Sequence, residues 1–104
     1  MGASLGRGIM KHLILVKWNS LVNDKNAILL EIQKIFEQLL EIDGVFGVKI
    51  HQNVINRSNR FDVMICIEMK REILPIYDES KPHHEWKEKF GKYVENKAIF
   101  DFED

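Results

Sequence analysis

Three runs of this chain alternate in the manner of β-strands and are apolar on both alternating sets. In Met10–Trp18 the sets are His12, Ile14, Val16 and Trp18 against Leu13 and Leu15. In Phe61–Met69 they are Phe61, Val63, Ile65, Ile67 and Met69 against Met64 and Cys66. In Lys97–Phe102, Ile99 opposes Ala98, Phe100 and Phe102. Successive side chains of a strand point to opposite faces of a sheet, so both faces of a sheet built from these runs are driven out of water. The helical pattern elsewhere is sufficient for one face only. The second face is therefore expected to pack against another copy of the chain or against a partner.

A length of 104 residues predicts one domain. Acids and bases are interspersed at a net charge of −1, with no basic stripe, so nucleic acid is not an expected partner. The single cysteine, Cys66, cannot form an internal disulfide and fits a reducing compartment. It lies between Ile65 and Ile67 with no base nearby in sequence, which predicts a buried structural thiol rather than a nucleophile. Residues 1–9 are glycine-rich and aperiodic, and read as a disordered lead or an expression remnant ahead of a 10–104 domain. The apolar run that follows is too short for a membrane span or a signal peptide. Gly6 stands where an N-myristoylation signal needs Ser or Thr. The expectation is a cytoplasmic protein with no membrane partner.

Ile28, Leu29, Ile32, Ile35, Phe36, Leu39 and Leu40 recur at helical spacing and predict a helix over Asp24–Asp43. Asp24 or Asn23 can cap its start and Gly44 can end it. Val45–Ile55 alternates apolar with polar residues, as a half-exposed edge strand does. Asn56–Arg60 is a polar turn joining it to the next strand as a hairpin. Lys70–Tyr77 predicts a short helical turn interrupted by Pro75. Ser80 can cap a second short helix with Pro82 in its first turn, its apolar edge formed by Trp86, Phe90 and Tyr93 or Val94. The order β-α-β-β-α-β predicts an α+β, ferredoxin-like antiparallel sheet with helices on one face and the first and third strands central.

Four segments, Lys11-His12-Leu13-Ile14-Leu15-Val16-Lys17, Phe61–Glu68, Lys81-Pro82-His83-His84 and Ile99–Glu103, resemble in order and spacing those of the stress-responsive α/β-barrel (Dabb) family. The third resembles the family's His-Pro-x-His segment. The resemblance spans Met10 to Glu103 and implies a homodimer whose sheets pack face to face into a dimeric α/β barrel. It implies little about activity, because most members have none established. Members that are polyketide cyclases use a first-strand histidine, the histidine closing His-Pro-x-His and a tyrosine just before that segment. By position the histidines fall on His12 and His84. Lys81 replaces the first histidine of the segment. The nearest tyrosine, Tyr77, lies one position too far from His84, with Asp78 in the matching place.

His12 shares a strand face with Ile14 and Val16. If that face meets the helices, a site between helices and sheet is lined by Ile14, Val16, Leu29, Ile32, Ile65, Ile67, Trp86 and Ile99, with His12 at the inner wall and His84 at the mouth. Apolar surroundings disfavour an imidazolium, and two imidazoles beside an apolar cleft suit acid–base work on a carbonyl compound. The plainer reading, which the sequence favours, makes His12 a hydrogen-bonded core residue and His84 a surface one. His83 and His84 are adjacent and do not converge on a helix, so no metal is expected. Gly44 and Gly47 form no phosphate loop, and no cofactor is expected. Two classes follow: a homodimeric module that binds an apolar small molecule or simply provides stability, or a cofactor-independent enzyme, cyclase-like or small-monooxygenase-like, using His12 and His84 with Tyr77.

Overall fold

The computed structural model describes residues 9–104. The lead expected over residues 1–9 lies outside the described residues except for Ile9, which opens the first strand. The four strands are β1 (Ile9–Trp18), β2 (Val45–Gln52), β3 (Val63–Lys70) and β4 (Val94–Glu103). The helices are α1 (Lys25–Glu37), tightening into a 3-10 turn over Gln38–Glu41, then α2 (Leu74–Asp78) and α3 (Lys81–Phe90). The strands form one antiparallel sheet in the order β2-β3-β1-β4. This is the ferredoxin-like fold, with the first and third strands central as the alternation predicts. Among the described residues no helix is long and apolar enough to cross a membrane.

The alternation decides which side chains meet the helices. Met10, Ile14, Val16 and Trp18 of β1 and Val63, Ile65, Ile67 and Met69 of β3 are buried against Ile28, Ile32, Ile35 and Phe36 of α1. Each such side chain stabilises the fold by about 1.5–3 kcal/mol relative to exposure. Trp86 and Phe90 of α3 extend this core, with Trp86 edge-on to Phe36 at 5.5 Å and to Trp18 at 6.3 Å. The opposite sheet face carries no helix. There Leu13 pairs with Cys66 on one side and Phe100 on the other, and Leu15 with Met64 and Ala98. These two apolar rows cross the sheet; Phe100 is 62% exposed, and Cys66 is only half-buried rather than fully enclosed.

Element boundaries shift from expectation where side chains bind the backbone. The Asp24 carboxylate accepts from the amides of Asn26 and Ala27 at 3.1 Å each, which starts α1 at Lys25. Strand β2 stops at Gln52 instead of Ile55. The Asn53 side chain donates to the Phe61 carbonyl at 2.9 Å and accepts from the Ile55 amide at 2.8 Å, turning the chain out of the ladder. Strand β3 starts at Val63; the Asp62 side chain accepts from the Trp18 amide and pairs with Lys25, tying the hairpin to the start of α1, while its backbone still bonds Asn53 and Val16. Pro75 does not interrupt its helix. It sits in the first turn of α2, where a missing N–H costs nothing.

Gly44 closes the first helical segment with φ +100, and its carbonyl accepts from the Lys70 amide at 2.9 Å. A Cβ at this position would stand 2.5 Å from Ile73 Cγ1. We predict that Gly44→Ala lowers stability by about 1–3 kcal/mol from backbone strain alone, with the clash adding to it. Urea denaturation reads this directly, and an unchanged midpoint would contradict it.

Candidate ligand pocket

Helix α1 packs directly on β3 and β1, so no space remains between it and the middle of the sheet. The short α2 and α3 leave the inner face of edge strand β4 partly open, and Ile99 is 47% exposed there. A cavity of about 310 Å³ forms in this gap, lined by Ile14, Leu74, Trp86 and Ile99 together with His12, Tyr77, Asp78, His83, Lys87, Lys97 and Asp101. A second cavity, of about 260 Å³, lies beside it and shares Trp86, Lys87 and Lys97, adding Gly91 and Val94.

His12 is placed by register. It lies opposite Asp101 on β4, and its ring Nδ1 is hydrogen-bonded to the Asp101 carboxylate. A carboxylate only accepts, so Nδ1 carries the proton, and in the neutral tautomer this leaves the lone pair on Nε2. His12 as a whole is 6% exposed. Tyr77, on α2, lies edge-on to it with ring centroids 5.3 Å apart. Tyr77 is 1% exposed, and its hydroxyl is fully buried with no protein hydrogen-bond partner. Burial pushes its phenol pKa up, and the Asp78 and Asp101 carboxylates push the same way, so Tyr77 is held as a neutral donor.

His83 completes the group. Its ring centroid is 4.7 Å from that of Tyr77. Its Nδ1 donates to the Asp78 carbonyl at 2.8 Å, and its amide donates to the capping Ser80 hydroxyl. Partial burial is the main cause lowering its pKa; the bond to Asp78 opposes this, and Lys87 and His84 add to it.

The expected site is thus assembled in part. His12, Tyr77, Ile14, Trp86 and Ile99 come together around the cavity. His84 does not: it is exposed and does not line the cavity. His83, one residue earlier, stands there instead, which removes the one-residue excess between Tyr77 and the histidine of the His-Pro-x-His-like segment. Val16, Ile32, Ile65 and Ile67 are fully enclosed core, and Leu29 packs at its margin, because α1 seats on them without a gap. Asp101, Leu74, Lys87 and Lys97 are lining residues that the pattern of the sequence did not single out, while Asp78, in the place matching the tyrosine, lines the cavity together with Tyr77. Among the described residues no three His, Cys, Asp or Glu side chains converge as a metal site would require. On the outer face, burial and then Glu68 push the Cys66 thiol pKa up, away from a reactive thiolate.

Solved structures resembling this chain share its whole fold at low sequence identity. A dimeric ferredoxin-like protein of unknown function from Bacteroides fragilis superposes with a TM-score of 0.77 at 19% identity, covering 94% of this chain and 98% of its own. A Dabb family protein with a ferredoxin-like fold from Mesorhizobium loti gives 0.70 at 16%, covering 92% and 96%. A hydroxynitrile lyase from Passiflora edulis gives 0.73 at 14%, covering 92% and 93%. No protein-family model and no curated protein matches the sequence.

The His83 shift makes stability depend on pH. Its folded pKa lies below the usual 6.5, so the unfolded chain binds more protons as pH falls past that value. We predict that the His83 contribution is present above about pH 6.5 and is lost as pH falls through the lower folded value. The measurement is urea stability between neutral and mildly acid pH. His83→Gln should flatten the decline relative to the native protein, and parallel curves would contradict this.

Proposed function

We propose that this chain is a homodimeric protein of the stress-responsive α/β-barrel type, with residues 10–104 as its domain. Its helix–sheet pocket takes a small molecule with an apolar body and one carbonyl or hydroxyl head. The observation that carries the reading is Tyr77, which lines the cavity and whose buried hydroxyl is left without a partner by the protein. An unsatisfied buried polar group costs about 1–3 kcal/mol, and a ligand oxygen would relieve it. The apolar walls supplied by Ile14, Leu74, Trp86 and Ile99 fit the usual make-up of small-molecule sites, and the volume stands at the lower end of their range. A cytoplasmic setting accords with the lone Cys66.

Dimerisation would cover the outer rows Leu13–Cys66–Phe100 and Leu15–Met64–Ala98, which a monomer would leave as a contiguous apolar patch. The solved Bacteroides protein of the same fold is a dimer. We predict an interface above about 1,200 Å² in total. Leu15→Glu or Met64→Glu should dissociate it or prevent folding, since each places an unpaired charge in the contact. Sedimentation showing a stable native monomer at micromolar concentration would refute the dimer.

A second reading, a cofactor-independent enzyme, is favoured by the His12–Asp101 pair. Asp101 orients the ring and supports the cation that His12 would become on taking a proton. His12 Nε2 would remove a proton from carbon beside a ligand carbonyl, while the neutral Tyr77 hydroxyl donates to the developing enolate oxygen. The hydroxynitrile lyase of the same fold shows that such a scaffold can carry an enzyme.

Heptyl methyl ketone separates the readings. We predict that it shifts amide NMR signals around the pocket, and that Tyr77→Phe weakens binding roughly two- to tenfold, the range of one hydrogen bond, without loss of stability. Deuterium entering its α-carbons from D2O, and lost in His12→Ala, would establish the enzyme reading. Binding without exchange leaves the first. No binding by the native protein, or unaltered affinity in Tyr77→Phe, would refute the pocket's proposed role.

A further inference from the structure

Strand β4 turns Lys97, Ile99 and Asp101 toward the helices, opposite Val16, Ile14 and His12. The acid and the lysine lie four residues apart on one strand, roughly 13 Å along it. Asp101 is committed to His12. Across the gap, Lys87 lies one helical turn beyond His83 on the same face of α3. Lys87 and Lys97 line both cavities and so mark their junction. Neighbouring Lys89 pairs with Glu85 at 3.3 Å, yet among the described residues neither Lys87 nor Lys97 has an acidic partner within 4.0 Å. The pocket's other carboxylate, Asp78, lines the Tyr77 end and not the second cavity.

From this we infer that the ligand is a carboxylic acid, its carboxylate held between Lys87 and Lys97 at the junction of the two cavities. The inference rests on the proposed pocket and adds its ligand class: a β-hydroxy or β-keto acid with an apolar tail. The oxygen on the β-carbon meets the Tyr77 hydroxyl. The carboxylate, two bonds further along the carbon chain, turns back to the paired ammoniums. The tail runs over Trp86 toward Gly91 and Val94 in the second cavity, whose remaining walls are the stems of the two lysines. Two cations facing one cleft raise the local concentration of an anion and disfavour a cationic ligand. The His12–Asp101 pair, kept away from them, is left to act on the oxygen-bearing end.

The test compares β-hydroxydecanoate with its methyl ester by calorimetric titration of the full chain. The two differ in the charge and keep the tail and the hydroxyl. The native protein should bind the acid about tenfold more tightly at low salt, the size of two partly exposed ion pairs. That preference should shrink as salt screens it. The Lys87→Met/Lys97→Met variant, which keeps the apolar stems, should bind both probes alike at the ester's affinity. Equal binding of acid and ester by the native protein, or a preference surviving in the double variant, overturns this inference and leaves the pocket standing. Binding of neither probe by the native protein overturns both. If the double variant does not fold, the salt dependence of the native preference decides: a preference insensitive to salt refutes the lysine pair.

Discussion

The pairing of β1 with β4 is the constraint on which both faces of this molecule depend. It sets Leu13 beside Phe100, Ile14 beside Ile99 and His12 beside Asp101. A slip of one residue would turn every side chain of one strand to the other face. Ile99 and Asp101 would then face outward, and Phe100 would enter the pocket. The imidazole would lose the carboxylate that fixes its proton and would be left buried without a partner. The same register lines up the apolar rows on the outer face. One ladder of backbone hydrogen bonds thus specifies both the proposed pocket on one side and the surface proposed for assembly on the other.

Unequal helical cover then makes the pocket. Helix α1 is long enough to lay Ile28, Ile32, Ile35 and Phe36 across the middle of the sheet, and that half is closed core. Opposite it the chain has only α2, five residues long, and α3, ten residues long. The break between them at Glu79 and Ser80 brings Tyr77 inward at the end of one helix and His83 at the start of the next. A single straight helix would hold these residues six positions apart, on different turns, with no reason for their rings to meet. The Ser80 cap and the Asp78 carbonyl, which holds the His83 ring, are what make the turn serve the site.

The fold was legible because its signals are redundant. The apolar stripe of α1, the two-faced central strands and the capping residues Asp24 and Ser80 all indicate one topology. The end of β2 was not, because Asn53 competes with the ladder through its side chain, a choice the alternation of Val48 and Ile50 does not reveal. Of the candidate site, only part of the lining was legible. His12 and Tyr77 emerge from the resemblance, and His84 from a motif whose helical phase it does not share. The phase itself was readable. Trp86 and Phe90 fix the buried stripe of α3, and His83 lies three residues before Trp86, on the same side. His84 lies two before it and must face away. Asp101 needed the register of a strand pair distant in sequence, and no local pattern contains that.

At Tyr77 the proposed site and stability oppose each other. Its ring contributes to the core, between His12 and His83, while its hydroxyl has been removed from water without a protein partner. A chain shaped for stability alone would carry phenylalanine at this position, keeping the packing and avoiding the desolvation. The phenol is also kept neutral by burial and by two nearby carboxylates, so it can donate a hydrogen bond but not readily ionise. Beside it stands an imidazole whose second nitrogen is left to accept. A donor and an acceptor, fixed in a half-open apolar cleft on the face away from the proposed dimer contact, make a site that assembly can brace without covering.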